Sequence, residues 1–339
     1  MSKMQKPKRV PKLPSGLLLV DKPEGFTSHD VVAKLRGIVG TKSIGHTGTL
    51  DPFATGLMVL LIGEATKLSN SFTDGDKGYK AQVFLGQTTD SWDVTGEVSS
   101  TADPKIVLDL DNDRVEQVTR SFLGTHQMDI PAFSAKKVDG KKLYEKAREG
   151  QVFELPKKAM TFKEVNSYCR PEPQILQFDV LCSKGSFIRS LAEGIGQKLG
   201  CGAYLKALRR FYSAPYRLED ALTLDQLSEA LGDGVVEEAV AKQVQQSHAE
   251  KLGASFIAMA DVFPGMTTMT VKGRDETLLS NGQIPDELHR RLVPIQREVN
   301  RAQQSRQIKV LRGSSGGLLS LVEIHPCQRA KVKRIFNDD

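Results

Sequence analysis

Hydrophobic residues recur along this chain with two different periods. Leu17 to Val20 form a short apolar run, the signature of a buried strand, and DKPEGFTS after it reads as a turn built on proline and glycine. From about Ser28 the period changes. Val31, Val32, Leu35, Ile38 and Val39 mark one face of a helix, with Thr27 and Asp30 placed as a capping box. A glycine-rich loop spans residues 40–56, and LMVLLI over 57–62 predicts a central strand. Tyr79, Ala81, Val83 and Leu85 alternate with Lys80, Gln82 and Phe84, as a strand requires. Residues 113–123, carrying Val115, Val118 and Phe122, predict a helix; so does KKLYEKAREG over 141–150, stopped by Gly150. Residues 174–182 are strand-like, and Ile188, Leu191, Ile195 and Leu199 give a helical stripe that ends at Gly200.

Strands and helices mix without a regular βαβ alternation, so the predicted class is α+β. Residues 228–255 are rich in Glu, Ala, Gln and Gly and poor in large apolar side chains, which places a domain boundary there. Beyond it MTTMTV, QIKVL, GLLSLVEI and VKRIF are short β-like runs, expected to build a small β-rich module over 255–339. Residues 1–15 are basic, contain proline and have no apolar stretch; a disordered arm is expected, not a secretory signal. The main domain then runs over 16–250.

Composition narrows the function. The chain has 339 residues, enough for two domains, and no apolar run approaches the roughly 20 residues of a membrane span, so no membrane is expected. The net charge of +6 favours a polyanionic partner. The basic residues cluster: Lys3, Lys6, Lys8, Arg9 and Lys12; Lys136, Lys137, Lys141, Lys142, Lys146 and Arg148; and Arg329, Lys331, Lys333 and Arg334. One cluster alone reads as a solvated face, and three together point to phosphate contacts. Cys169, Cys182, Cys201 and Cys327 include no CxxC pair and the histidines no HxxxH spacing, so no metal site is expected; the thiols read as core residues in a reducing, cytoplasmic setting.

The densest chemical signal is GHTGTLDPFATG over 45–56. Three glycines let the backbone turn tightly, and Pro52 biases Asp51 away from helical geometry. Taken alone, Asp51 and Pro52 read equally as an N-cap and its first helical residue. A phosphate-binding P-loop is excluded, because GIVGTKS over 37–43 lacks the required spacing.

This loop, together with DKPEGFTSHD, DGDKGYK, SAKKVDGKKLYEKAREG and CSKGSFIRSLAEGIGQKLGCGAYLKALRR, resembles the TruB family of bacterial tRNA pseudouridine synthases. The resemblance runs from about Gly16 to about Leu224, with the segments in the same order and spacing. It implies a mixed-sheet pseudouridine synthase domain with a C-terminal PUA-like module, the latter on the weaker matches LSNGQIP and GGLLSLVEI. It implies a stand-alone, monomeric enzyme that isomerises uridine 55 in the T-arm stem-loop of tRNA. No cofactor, metal or obligatory protein partner is implied.

The resemblance also implies roles. Asp51 is the catalytic nucleophile, which adds to the sugar or deprotonates it. Arg189 pairs with it and holds it charged. Tyr79 stacks on the extruded base and assists at C5. His46 fills the gap the base leaves in the RNA stack. Phe187 and Leu208 line the base pocket; the family more often has tyrosine at the Phe187 position, so here the ring is kept and the hydroxyl lost. Lys22 supports the loop or touches RNA. Each has a plainer reading: a core tyrosine, a surface arginine, a loop histidine, packed apolar side chains. Two other functions fit the same charge pattern, an RNA-folding chaperone and a guide-RNA-dependent synthase within a larger assembly. The form of GHTGTLDPFATG argues against the second.

Overall fold

The computed structural model describes residues 10–72, 75–134, 137–138, 141–143, 154–232 and 236–337. Its first strand, β1 (Gly16–Lys22), leads into α1 (Ser28–Val39), which has the expected capping box: the Asp30 amide donates to Thr27 Oγ1 at 3.1 Å and the Thr27 amide to Asp30 Oδ2 at 2.8 Å. Gly40 ends the helix at φ 79°, which suits a residue without Cβ. The glycine-rich loop holds a short strand, β2 (Ile44–His46), before β3 (Thr55–Ile62) and β4 (Lys77–Leu85). A hairpin of β5 (Gln87–Thr89) and β6 (Val98–Thr101) precedes α2 (Pro104–Leu108), α3 (Asn112–Arg120) and β7 (Gly124–Asp129). Of the helix expected over 141–150, Lys141–Lys142 is instead a strand, β9, paired with β8 (Lys137–Val138); residues 144–150 lie outside the described residues.

Two long strands follow, β10 (Lys157–Glu172) and β11 (Ile175–Cys182), then α4 (Ile188–Leu199), β12 (Ala203–Ser213), β13 (Tyr216–Arg217), β14 (Leu222–Thr223), α5 (Leu224–Leu231) and α6 (Ala241–Leu252). The strands form one mixed sheet in the order β14-β1-β3-β12-β4-β11-β10-β7. β3 and β12 pair in parallel, while β12, β4, β11, β10 and β7 are successively antiparallel.

The composition shift over 228–255 does not end this body. α6 lies inside it, and β15 (Phe256–Ala258) pairs with β1, so the large sheet runs past residue 255. The arm expected over 1–15 is corrected over its last six residues, and residues 1–9 lie outside the described residues. Residues 10–15 are packed: Leu13 is fully buried, the Lys12 amide donates to Val39 O at 2.8 Å and its ammonium to Gly232 O. One leucine among the lysines is enough to pin that end of the segment in the core.

The C-terminal module is a sheet of β16 (Thr268–Val271), β17 (Arg306–Arg312), β18 (Leu318–Ile324) and β19 (Lys331–Ile335). Its four β-like runs are strands, as expected. Between β16 and β17 it also holds α7 (Arg274–Ser280) and the 17-residue α8 (Asp286–Ala302), both unexpected. No helix among the described residues is long and apolar enough to cross a membrane.

Strand β1 is buried on both faces, which explains its unbroken apolar run. Leu18 and Val20 join the core under α1 and α5. Leu17 and Leu19 face the other way, with Leu57, Val59 and Leu61 of β3, against Leu318, Leu321 and Phe336 of the C-terminal module. The strand that follows the catalytic-type loop is therefore packed between two cores.

Gly56 marks where that strand begins. It sits at φ +100°, paired in parallel with Arg210 of β12, and a Cβ there would lie 2.3 Å from the Arg210 carbonyl oxygen. Gly37 of α1 has open space around it and an ordinary helical φ. Gly56→Ala is expected to destabilise the protein by about 3 kcal/mol or more, whereas Gly37→Ala is neutral or stabilising by up to ~1 kcal/mol. Thermal midpoints of the two variants test this: equal midpoints would show that the close approach at Gly56 is not a constraint.

Candidate active site

The loop between β2 and β3 is fixed before its chemistry is considered. Ser28, first residue of α1, donates through Oγ to Leu50 O at 3.1 Å and accepts from the Leu50 amide at 2.9 Å. The Gly25 amide donates to Pro52 O at 3.0 Å, and the Ala54 amide closes a turn onto Asp51 O at 3.1 Å. Lys22 supplies the third tie. Its side chain is fully buried, and its ammonium donates to the carbonyls of Pro23 (2.9 Å), Phe26 and Pro52 (3.1 Å). Burial lowers its pKa to about 8, with the Asp51 charge opposing.

The resemblance implies that Lys22 either supports the loop or binds the RNA substrate. The structure corrects the latter: all three ammonium protons are used on loop carbonyls and none of its surface is open.

Asp51 then projects onto Arg189, the second residue of α4. The contact is bidentate, Nε to Oδ2 at 3.1 Å and Nη2 to Oδ1 at 3.2 Å. Arg189 is 4% exposed while the Asp51 side chain is 40% exposed, so a ligand can reach the carboxylate and not the cation behind it. The remaining guanidinium donors go to Asp93 Oδ2 at 3.2 Å, Ser91 O at 3.2 Å and Phe133 O at 3.1 Å. All five N–H groups are therefore committed, and the fork is fixed in orientation.

Asp93 is buried and held in turn by Ser91 Oγ (2.8 Å), the Thr95 amide (3.0 Å) and Thr95 Oγ1 (2.6 Å). The carboxylate of Asp51 is reachable but poorly solvated, since protein walls it on most sides. Burial pushes its pKa above the ordinary aspartate value. Arg189 is the main opposing influence; Asp93 adds to the rise and Lys22 to the fall.

Two spaces meet at this pair. An inner cavity of about 270 Å³ is lined by Thr49, Leu50, Asp51, Tyr79, Cys182, Phe187, Arg189, Leu208 and Arg210, among others. That is just under the ~300–1,000 Å³ of sites for drug-sized molecules. An outer cleft of about 980 Å³ shares Asp51, Phe187 and Arg189 and is lined further by His29, Asp93, Phe133 and Ser134.

Five of the expected residues, Asp51, Arg189, Tyr79, Phe187 and Leu208, thus share one cavity. Tyr79 comes from β4, Leu208 from β12, and Phe187 caps the N-terminus of α4. His46 does not line it. It stands beside His29, edge to face at 5.8 Å, with its buried Nδ1 unpartnered among the described residues. Burial lowers its pKa, as do His29 and Arg210.

Sequence reasoning missed two members. Asp93 lies in TTDSWDVTG, where alternating Thr, Ser and Asp read as a turn. Arg210 is the last residue of the segment KALRR, of which only Leu208 was singled out. Among the described residues no group of three or more His, Cys, Asp or Glu side chains is placed to hold a metal ion.

Comparison with known proteins now decides the family. Residues 36–188 match the sequence model described as TruB family pseudouridylate synthase (N terminal domain), and residues 189–246 match the tRNA pseudouridylate synthase B C-terminal domain. Over 327 residues the chain is 38% identical to the tRNA pseudouridine synthase B of Bdellovibrio bacteriovorus, covering 95% of this chain and 97% of that protein. The chain belongs to the TruB family.

TruB relatives include the tRNA pseudouridine synthase B of Opitutus terrae, 46% identical over 62% of this chain and 86% of its own length. The fold is shared with more distant proteins. A chain in a solved H/ACA RNP bound to a substrate RNA containing 2'-deoxyuridine superposes with a TM-score of 0.62 at 18% identity, over 99% of this chain and 94% of that one. A chain in a Cbf5-Nop10-Gar1 complex gives 0.61 at 19% identity, over 99% and 93%. The two TruB sequence models stop at residue 246, whereas these structures and the Bdellovibrio relative extend across the C-terminal module. As a TruB pseudouridine synthase the chain is an isomerase of RNA uridine.

The ties made by Lys22 give a test. Lys22→Met leaves three carbonyls without their donor and is expected to cost about 2–4 kcal/mol of stability. tRNA affinity, measured by filter binding below the melting temperature, is expected to stay within about twofold of wild type, since the ammonium touches only protein. A loss of affinity without a loss of stability would return Lys22 to the RNA surface.

Proposed function

We propose that this enzyme converts uridine 55 in the T-arm of tRNA to pseudouridine, acting alone, as a monomer, without cofactor or metal, in the cytoplasm. The observation that carries the reading is the Asp51–Arg189 pair at the junction of the two cavities. The inner space suits a single pyrimidine, and the outer cleft has room for the strand from which it is extruded. The Bdellovibrio and Opitutus relatives, named as tRNA pseudouridine synthases, support tRNA as the substrate.

The chemistry is an isomerisation. The N1–C1′ bond breaks with its electron pair going to uracil, the base turns, C5 bonds to C1′, and the C5 proton is lost while N1 gains one. Asp51 serves this either by adding to the sugar or by taking a sugar proton. In both cases it must be ionised, and Arg189 favours that form against the burial that opposes it. Tyr79, Phe187 and Leu208 offer the base an aromatic and apolar enclosure, in which the Tyr79 ring stacks on it.

His46, half-buried at the neighbouring surface beside His29, fills the space that the extruded base leaves in the RNA stack. The C-terminal module acts as a PUA-like clamp on the acceptor-arm side. Arg329, Lys331, Lys333 and Arg334 are exposed there and suit phosphate contacts that position the RNA without reading its sequence.

The test is tritium release from tRNA carrying [5-³H]uridine, alongside chemical mapping of pseudouridine. The wild-type protein is expected to release one tritium per tRNA and to modify position 55. Asp51→Asn is expected to release none while binding tRNA within about threefold of wild type. Release by Asp51→Asn at the wild-type rate, or modification of a different position, would refute the proposal.

A further inference from the structure

Arg210 is 2% exposed, yet among the described residues no carboxylate pairs with it. A buried guanidinium without a counter-ion is costly, and a protein keeps one where something else answers its charge. Its neighbours show where that charge is directed. In the sheet Arg210 stands between Gly56 of β3 and Tyr79 of β4, its Cα partner on either side. Its Nε donates to Leu57 O at 2.6 Å, and its Nη atoms approach Thr49 O at 3.4 Å and Gly48 O at 3.5 Å, the loop that leads to Asp51. Its cross-strand partner Tyr79 lines the same inner cavity, where the Arg210 charge acts on the phenol.

We propose that Arg210 is a positioning residue of the reaction. It donates to the Tyr79 oxygen, so that the phenol O–H points into the cavity and is polarised toward a base that has become negatively charged. The inference rests on the proposed isomerisation, in which uracil leaves C1′ with the bonding electrons and carries negative charge until C5 rejoins the sugar. A hydroxyl that accepts from a guanidinium has its own proton free to donate, and is a stronger donor for it. The same guanidinium reaches the loop carbonyls on one side, and its strand neighbour on the other is Tyr79. It thereby sets the spacing between Asp51 and the Tyr79 ring.

Burial is the main influence that holds the Tyr79 phenol protonated, above the ordinary tyrosine value; Arg210 opposes it, and Cys182 and Asp51 add to the rise. The residue therefore meets the base as a hydrogen-bond donor, and Arg210 is what makes that donor effective. Tyr79→Phe keeps the ring and removes the oxygen, which separates stacking from this role.

A double-mutant cycle tests the proposal: wild type, Arg210→Gln, Tyr79→Phe and the double variant, each assayed for single-turnover pseudouridine formation at saturating tRNA and for tRNA affinity. Arg210→Gln is expected to slow the single-turnover rate by about 10–100-fold with affinity within about threefold. Arg210→Lys, which retains the charge, is expected to lose less. In the Tyr79→Phe background Arg210→Gln is expected to cost no more than about threefold further, because the oxygen it acts through is gone.

The proposal is overturned if Arg210→Gln reacts at the wild-type rate, or if its fold-loss is as large without the Tyr79 hydroxyl as with it. Should Arg210→Gln melt below the assay temperature, Arg210→Met, which likewise removes the charge, carries the same cycle with the same criteria. Failure of the wild-type protein to form pseudouridine would refute the proposed function itself, and is read separately from the ratios among variants.

Discussion

A carboxylate that faces a poorly hydrated cavity stays charged only if something replaces the water it has lost. Here that is the Arg189 guanidinium, which grips both oxygens of Asp51 and is itself held by Asp93 and two carbonyls. The arrangement is asymmetric in access. The cation and the second carboxylate behind it are nearly buried, and Asp51 is the well-exposed member of the three. Two acids share one arginine, yet they differ in exposure: Asp93 is buried against the guanidinium, and Asp51 is the one a ligand could reach.

The rest of the fold keeps that geometry from drifting. Asp51 lies on a loop, and a loop holds a reactive group well only when its backbone is tied down. Lys22, Ser28 and Gly25 fasten it from the β1 and α1 side, and Arg210 from β12. The strand that continues from the loop, β3, is buried on one face by the helices and on the other by the C-terminal module through Leu318, Leu321 and Phe336. The C-terminal module is thus part of the packing behind the loop that carries Asp51.

Much of this was legible in the sequence where one rhythm dominated. The two-sided apolar runs of β1 and β3, the capping box of α1 and the Gly200 stop of α4 behave as their patterns require. What stayed hidden had a mixed rhythm. β12 carries bulges between Leu205 and Ala207 and between Arg210 and Tyr212, so its alternation changes phase twice and Arg210 turns inward between the half-buried Arg209 and Phe211. β10 is interrupted in the same way near Phe162 and Asn166. Helix α8 does repeat its apolar face at Leu288, Leu292 and Val299, but Pro294 within it and three arginines between them mask the stripe. Of the site, the members in dense motifs, Asp51, Tyr79 and Arg189, were found. Asp93 was not, because an aspartate in a Thr- and Ser-rich turn has an adequate local explanation until a distant arginine is seen to meet it.

The central claim is electrostatic: Arg189 supports the charged form of Asp51 against burial. The most direct measurement is the pKa of Asp51 itself, followed by carbon-13 NMR of the aspartate side-chain carboxyls and assigned by the signal lost in Asp51→Asn. The account predicts a value above that of an ordinary aspartate in the wild-type protein, and a further rise in Arg189→Gln, because the strongest influence favouring the carboxylate has been removed. A value that stays the same or falls in Arg189→Gln would contradict it.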